Sequence, residues 1–309
     1  MTSPDRPTQL PRRGLIKAGL ALTGAAVTAT ALSTPAAASA PAAGPRAGQA
    51  ELADLERRYG ARLGVFARNV RTGRTVTHRA GERFAMCSTF KAFAAAAVLR
   101  DHAGCAPMER VVHYPPHDIL PNSPRTEENL ETGMTVAELC AAAIQYSDNA
   151  AGNLLLREIG GPAGLTRFYR SLGDEVSRLD RWEPELNTAV PGDPRDTTTP
   201  GAVAASLECV ALGRALGPAG RERFVGWLKG NTTSTARFRA GLPRDWVVAD
   251  KTGTGSYATA NDIGVAWTTR GTPVVLTVLS TRPAQDAPVD EKLIEEAARI
   301  AARLVAPGE

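Results

Sequence analysis

Trp246-Val247-Val248-Ala249-Asp250-Lys251-Thr252-Gly253-Thr254-Gly255 decides how this chain is put together. Its first half is rich in β-branched and aromatic side chains and reads as a strand. A lysine, two hydroxyls and two flexible glycines follow. On a strand edge, where backbone N–H groups are free, that combination makes an anion site. Two more runs of strand character, 263–268 and 274–280, come next across Gly-containing turns, and Val289 to Val305 has the spacing of an amphipathic helix. The other end of the chain supplies the complement. Leu52, Leu55 and Tyr59 recur at helical spacing, and the stretches 63–70 and 75–79 flank a turn at Arg71-Thr72-Gly73-Arg74 as a hairpin does. Between the two ends, from Ser88 to Leu228, helices with long connections dominate. Thr135-Val136-Ala137-Glu138 is a capping box and Thr199-Pro200 a helix start with proline in the first turn. The expected fold is therefore α+β: one antiparallel sheet assembled from both chain ends with flanking helices, and an all-helical lobe inserted between them. The expected boundaries are 49–85 with 230–309 for the sheet domain and 86–229 for the helical one, which carries a loop at 181–196 broken by Pro184, Pro191, Gly192 and Pro194.

At 309 residues, 43% hydrophobic and 22% charged, the chain has the composition of an ordinary globular protein with a sizeable core. Its formal charge of +4 is concentrated at the N-terminus, where Arg6, Arg12, Arg13 and Lys17 stand against Asp5. The nearly neutral remainder argues against a nucleic-acid partner. Arg12-Arg13-Gly14-Leu15-Ile16-Lys17, a mildly apolar run from Ala18 to Leu32 and the small residues Ala38-Ser39-Ala40 describe a twin-arginine export signal over 1–40, cut after Ala40. The run is too short and too diluted by Thr23, Gly24, Thr28 and Thr30 for a membrane anchor. A disordered lead-in over 41–48, a secreted location, no membrane association after signal removal and a monomer are the corresponding expectations. Cys87, Cys105, Cys140 and Cys209 show no C-x-x-C spacing and read as small buried hydrophobes. His78, His102, His113 and His117 form no zinc pattern, so neither a metal nor another cofactor is expected.

Four segments carry chemistry. Ser88-Thr89-Phe90-Lys91 opens an Ala-rich helix, which puts the lysine one turn from the serine on the same face, able to take its proton when neutral. Ser147-Asp148-Asn149 follows the capped helix. Lys251-Thr252-Gly253 follows the strand quoted above. Arg181-Trp182-Glu183-Pro184-Glu185-Leu186-Asn187 places a carboxylate and an amide where together they hold one water. Arg181 and Asp196 bracket that loop and are expected to pair across its neck. Each segment alone is ordinary cap, turn or loop chemistry. The ordered set is not: S-x-x-K, S-D-N, a loop glutamate and K-T-G together are a known signature.

From Glu51 to the C-terminus the chain closely resembles the class A serine β-lactamases of actinomycete type, and the resemblance implies the serine β-lactamase and penicillin-binding-protein fold with a small-molecule β-lactam as substrate. It implies Ser88 as nucleophile, Lys91 as its proton partner and Ser147 as proton donor to the leaving ring nitrogen. Asn149 would hold Lys91 and the substrate's side-chain amide, and Glu183 with Asn187 the hydrolytic water. Lys251 and Thr252 would bind the substrate carboxylate, flanked by Gly253, and the backbone N–H groups of Ser88 and Thr254 would form the oxyanion hole. A D-alanyl-D-alanine carboxypeptidase or transpeptidase shares S-x-x-K and K-T-G but lacks the loop glutamate. Some positions depart from the common pattern. Thr259-Ala260-Asn261-Asp262 lacks the arginine with which many members help hold the substrate carboxylate, and Arg237 matches the alternative arginine that some relatives use instead, which the resemblance implies binds substrate here. Asn122 stands where many relatives have a tyrosine. Cys87 matches a cysteine that is bridged in certain relatives, but the partner position is Gly255; Cys140 likewise would face Ala95.

Overall fold

The structure is a computed structural model that describes residues 45–309 apart from residue 103. The export signal expected over 1–40 lies outside the described residues. Helix α1 (Pro45–Tyr59) begins within the stretch expected as a lead-in. Strands β1 (Arg62–Asn69) and β2 (Thr75–His78) form the hairpin, and β3 (Val247–Gly255), β4 (Thr259–Trp267) and β5 (Pro273–Thr281) join it in one antiparallel sheet of order β2-β1-β5-β4-β3. The sheet is thus built from both chain ends, and β3 is its edge. β3 and β4 are longer than the sequence suggests. Lys251–Gly255 continues the strand rather than following it, in register with Thr259–Ile263. The apolar pattern stops at Ala249, but cross-strand pairing carries the backbone on, because partners rather than propensity decide a strand's extent.

The sheet alternates between two cores. Val274, Leu276 and Val278 of β5 face a cluster with α1 and the C-terminal helix α8 (Glu291–Val305). Val275 and Leu279 face the helical part. Strand periodicity of two, buried on both sides, gives this division. At the middle of the helical part runs α2 (Phe90–Asp101), whose residues from Phe90 to Val98 are all buried. A helix apolar on every side is a central one, and its alanines let α3 (Val136–Gln145), α4 (Asn149–Glu158), α5 (Gly161–Ser171) and α7 (Pro218–Lys229) pack around it. The capping box at Thr135 and Glu138 is formed, and Thr199 caps α6 (Pro200–Ala211) with Pro200 in its first turn. Short two-residue bridges at 84–85 with 197–198 and at 111–112 with 134–135 are the strand pairings that the sequence did not reveal there.

The four cysteines are unpaired: Cys87 and Cys140 are buried, as expected, whereas Cys209 is half-buried and Cys105 is exposed. Burial pushes the Cys87 thiol well above its ordinary value. No helix among the described residues is long and apolar enough to cross a membrane.

Phe93 is fully buried on α2, its ring 4.9 Å from that of Tyr169. Phe93→Ala should lower stability by about 3–5 kcal/mol through the cavity it leaves. Denaturant unfolding checks this, and an unchanged midpoint would contradict the central role of α2.

Candidate active site

Where the sheet edge meets the N-terminus of α2, Cys87, Ser88 and Thr89 make a single 3-10 turn running straight into the helix. Cys87 has φ +45°, unusual for a residue with a side chain, and this turn presents Ser88 toward the cleft. Lys91 follows one turn later and is completely buried. Its ammonium donates to Ser88 Oγ at 2.9 Å, Ser147 O at 2.7 Å and Asn149 Oδ1 at 2.6 Å, and Glu183 Oε1 lies 3.0 Å away. Gly152 on α4 allows this approach, since a Cβ there would come within 2.8 Å of Lys91 Cε. Burial depresses the Lys91 pKa, against the opposing pull of the Glu183 charge.

Ser147-Asp148-Asn149 is a corner fixed from below. Asp148 is fully buried, and its carboxylate takes Ala151 N at 2.8 Å and Thr126 Oγ1 at 2.9 Å on one oxygen, Arg125 N at 2.9 Å and Thr126 N at 3.0 Å on the other. It caps α4 and ties that helix to the 123–126 segment. With the corner pinned, Ser147 adopts φ +57° and Asn149 reaches Lys91 while donating to Pro121 O at 2.8 Å.

The loop at 181–196 is closed at its neck. Arg181 Nε donates to Asp196 Oδ2 at 2.6 Å, and Asp196 Oδ1 accepts the backbone N–H groups of Asp180 at 2.7 Å and Arg181 at 2.9 Å. Within the loop, Glu183 precedes a cis proline bond. Asn153 of α4 grips its backbone twice, accepting Glu183 N at 3.0 Å and donating to Glu183 O at 2.9 Å. Glu183 Oε1 accepts the Ser88 hydroxyl at 3.1 Å, and Oε2 accepts Asn187 Nδ2. Asn187 Oδ1 is buried with no partner from the protein.

On β3, Lys251 Nζ donates to Ser147 Oγ at 3.1 Å and to Thr252 O at 2.8 Å. Burial, reinforced by the charges of Lys91 and Arg237, holds the Lys251 pKa well below that of an ordinary lysine. Gly253 lets the edge strand lie against the nucleophile's turn: a Cβ there would sit 2.8 Å from Met86 O and 3.2 Å from Ser88 N. Arg237, with a side chain 3% exposed, is not a surface residue. Its Nη1 donates to Gly253 O at 2.9 Å and Asn261 O at 2.6 Å, its Nη2 to Thr254 Oγ1 at 2.7 Å and Glu291 Oε1 at 3.1 Å, and its Nε to Glu291 Oε2. All of the guanidinium's N–H donors are engaged. A substrate carboxylate gains a direct bond to Arg237 only by displacing one of these acceptors, of which Thr254 and Glu291 line the cleft.

A cleft of about 390 Å³ opens over these groups, lined by Ser88, Ser147, Asn149, Asn187, Thr252 and Thr254 among others, with Asn122 and Tyr146 on one wall. Lys91, Glu183 and Lys251 lie directly beneath it through their bonds to Ser88 and Ser147. Every residue singled out in the motifs is gathered here, and Arg181 with Asp196 closes the loop behind. Sequence reading missed Asn153, Glu291, Thr233 and Asn261. Asn153 carried a signal: it stands one turn after Asn149, an amide inside an otherwise apolar helical stretch. Glu291 carried none, because it reads as an ordinary first-turn acid of α8. Among the described residues no group of three or more His, Cys, Asp or Glu side chains is placed to hold a metal ion.

Comparison with known proteins shows the family. Residues 48–305 match the β-lactamase enzyme family. A β-lactamase of Nocardia asteroides, AST-1, is 53% identical over 249 residues, 80% of each chain. The carbapenem-hydrolyzing β-lactamase KPC of Klebsiella oxytoca is 54% identical over 251 residues, 81% of this chain and 86% of that one. The crystal structure of a β-lactamase from Desulfarculus baarsii superposes with a TM-score of 0.84 at 49% identity, covering 86% of this chain and 99% of that one.

The neck pair fixes one expectation. Asp196 is fully buried, so Asp196→Ala leaves Arg181 Nε and two backbone N–H groups unpaired, at about 2–4 kcal/mol for the loop. Hydrogen exchange should accelerate across 181–196 while α2 stays protected. Equal protection of the loop in both proteins would remove Asp196 from this role.

Proposed function

The chain belongs to the β-lactamase enzyme family as a class A member, a hydrolase of the cyclic amide whose activity confers β-lactam resistance, and we propose that it acts through an acyl-enzyme on Ser88 with penicillins and some cephalosporins as substrates. One observation carries this reading: the Ser88 hydroxyl receives Lys91 at 2.9 Å and points its own proton at Glu183 Oε1 at 3.1 Å, all three groups buried. Because Lys91 already donates to Ser88 Oγ, the carboxylate is the base that this resting arrangement offers. Attack by Ser88 Oγ on the lactam carbonyl carbon passes the hydroxyl proton to Glu183, and the C–N bond then breaks as Ser147 supplies a proton to the ring nitrogen. Ser147 is suited to that, since its oxygen already accepts from Lys251 and its own proton is free. Lys251 returns a proton to Ser147, and Glu183 releases the one it took to water in the cleft, which recharges Lys251, so that Glu183 is again a carboxylate before deacylation.

The edge position of β3 supports the oxyanion hole. Ser256 N donates to Asn187 O, away from β4, and strand alternation turns Thr254 N the same way, toward the cleft that Ser88 lines. Two backbone N–H groups aimed at the carbonyl oxygen stabilise its developing charge by a few kcal/mol. Deacylation follows from the loop: Glu183 beside the unpartnered Asn187 Oδ1 offers two buried acceptors, which suits a water donating both its protons. Glu183 removes one proton as that water attacks the ester, and Ser88 leaves with it. A D-alanyl-D-alanine peptidase reading gives this carboxylate no task. Lys251, Thr252 and Thr254 would hold the substrate carboxylate, with Arg237 acting through Thr254 and through its charge. The same reading takes residues 1–40 as a twin-arginine signal that sends the enzyme out of the cell as a monomer, and residues 86–229 as a helical domain set into a sheet domain.

Ser88→Ala should abolish both nitrocefin turnover and covalent labelling, whereas Glu183→Ala should acylate and then stall, showing a persistent penicilloyl mass with turnover reduced at least about a hundredfold. A Glu183→Ala enzyme that turns over at the wild-type rate would end the water-activation role. The depressed Lys251 pKa sets a second expectation. Its charge is lost below the pH at which an ordinary lysine deprotonates, so kcat/KM should fall on that alkaline limb. Lys251→Arg, whose guanidinium stays charged, should move the limb upward. An unmoved limb would assign it to another group.

A further inference from the structure

Asp250 and Asp262 are buried on the sheet face opposite the catalytic lysines. Asp250 of β3 pairs across with Gly264 and Asp262 of β4 with Thr252, so the two carboxyls are diagonal neighbours on one face. Gly264 makes the room, since a Cβ there would lie 2.9 Å from Asp250 Cβ. Each carboxyl has one satisfied oxygen. Asp250 Oδ1 accepts Arg239 Nη2 at 3.0 Å and Asn231 Nδ2 at 3.2 Å, and Asp262 Oδ2 accepts Phe238 N at 3.2 Å. Each also has one buried oxygen, Asp250 Oδ2 and Asp262 Oδ1, without a well-placed donor, although the Ser234 hydroxyl also stands beside the Asp250 carboxylate. Two buried, poorly satisfied acceptors on one face of adjacent strands are a costly arrangement, and one proton between them removes the cost.

We propose that Asp262 is a protonated carboxylic acid that donates from Oδ1 to Asp250 Oδ2, and that this acid–carboxylate pair is the positioning element for the carboxylate-binding side of the cleft. The assignment of the proton follows from the partners. Asp250 has a guanidinium on it, whereas Asp262 has only a backbone N–H. Burial and the neighbouring Asp250 charge hold Asp262 well above the ordinary carboxylate range, against the charges of Arg237 and Lys251. The consequence for the site follows from the same bonds. The residues directly after Arg237 are both tied to the pair, Phe238 through its N–H to Asp262 and Arg239 through its side chain to Asp250. Asn231, also on Asp250, accepts Thr233 Oγ1 at 2.8 Å, and Thr233 in turn bonds Thr252 at 2.5 Å. Arg237, Thr233 and Thr252 all line the cleft and are all referenced to these two carboxyls. The role in the site rests on the function proposed above; the shared proton does not.

Infrared spectroscopy of the unmutated full chain near neutral pH should show a protonated-carboxyl C=O stretch that shifts in D2O and vanishes in Asp262→Asn. In that variant the amide can donate to Asp250 and accept Phe238 N–H, so KM should return to within about twofold of wild type, while Asp262→Ala should raise KM about tenfold with kcat changed less than about twofold. Neutron diffraction of the unmutated protein should place a deuteron between the two oxygens, which needs no variant to fold. Absence of the stretch, its persistence in Asp262→Asn, or a water lying between the carboxyls would overturn the pair. A stretch that behaves as stated with equal KM in wild type and Asp262→Ala would overturn the positioning role alone.

Discussion

A lysine ammonium with no exposed surface, set into an alanine-rich helix, is the constraint around which this molecule is arranged. An uncompensated charge in that position would cost several kcal/mol, and the structure answers it with Ser88 Oγ, Ser147 O, Asn149 Oδ1 and the Glu183 carboxylate, contributed by three separate parts of the chain. Satisfying Lys91 therefore assembles the site. The corner at Asp148 exists to present Ser147 and Asn149 at the right height, and the loop neck at Arg181 and Asp196 exists to bring Glu183 down onto the ammonium. The same burial that makes Lys91 demanding also lowers its pKa.

The edge of the sheet supplies the second half. β3 is unpaired on one side, and glycine at 253 lets it approach the nucleophile's turn closely. Its two faces have different tasks: Lys251 points toward Ser147 and the cleft, while Asp250 points to the opposite side, toward Arg239 and Asn231. Polar residues buried on both faces of one strand are unusual, since edge strands and apolar cores normally divide such labour. Here they are tolerated because almost every atom finds a partner: along β3 itself, only Asp250 Oδ2 is left without one among the described residues.

Much of the fold was legible in the chain. The hairpin at 63–79, the capping box at Thr135, the helix start at Thr199 and the loop from Arg181 to Asp196 follow from local rules of periodicity, capping and proline placement, and the structure has each of them. The extent of β3 and β4 was not legible. Lys251 and Gly253 have no strand preference of their own, and only pairing with Thr259–Ile263 makes this stretch a strand. The exposure of Cys105 was equally invisible, because a cysteine's burial depends on what packs over it.

What the sequence determined by itself is the inventory: a serine and a lysine one helical turn apart, a glutamate and an asparagine on one loop, a lysine after a strand. These are short-range relations, fixed by the geometry of a single element. Tertiary structure alone decided that Asn153 should grip Glu183, that Glu291 should occupy the Arg237 guanidinium, and that two aspartates on neighbouring strands should share a face. Those partners are separated along the chain by turns, loops and whole helices, and hydrogen bonds between such residues are set by how the elements pack, which no local spacing encodes.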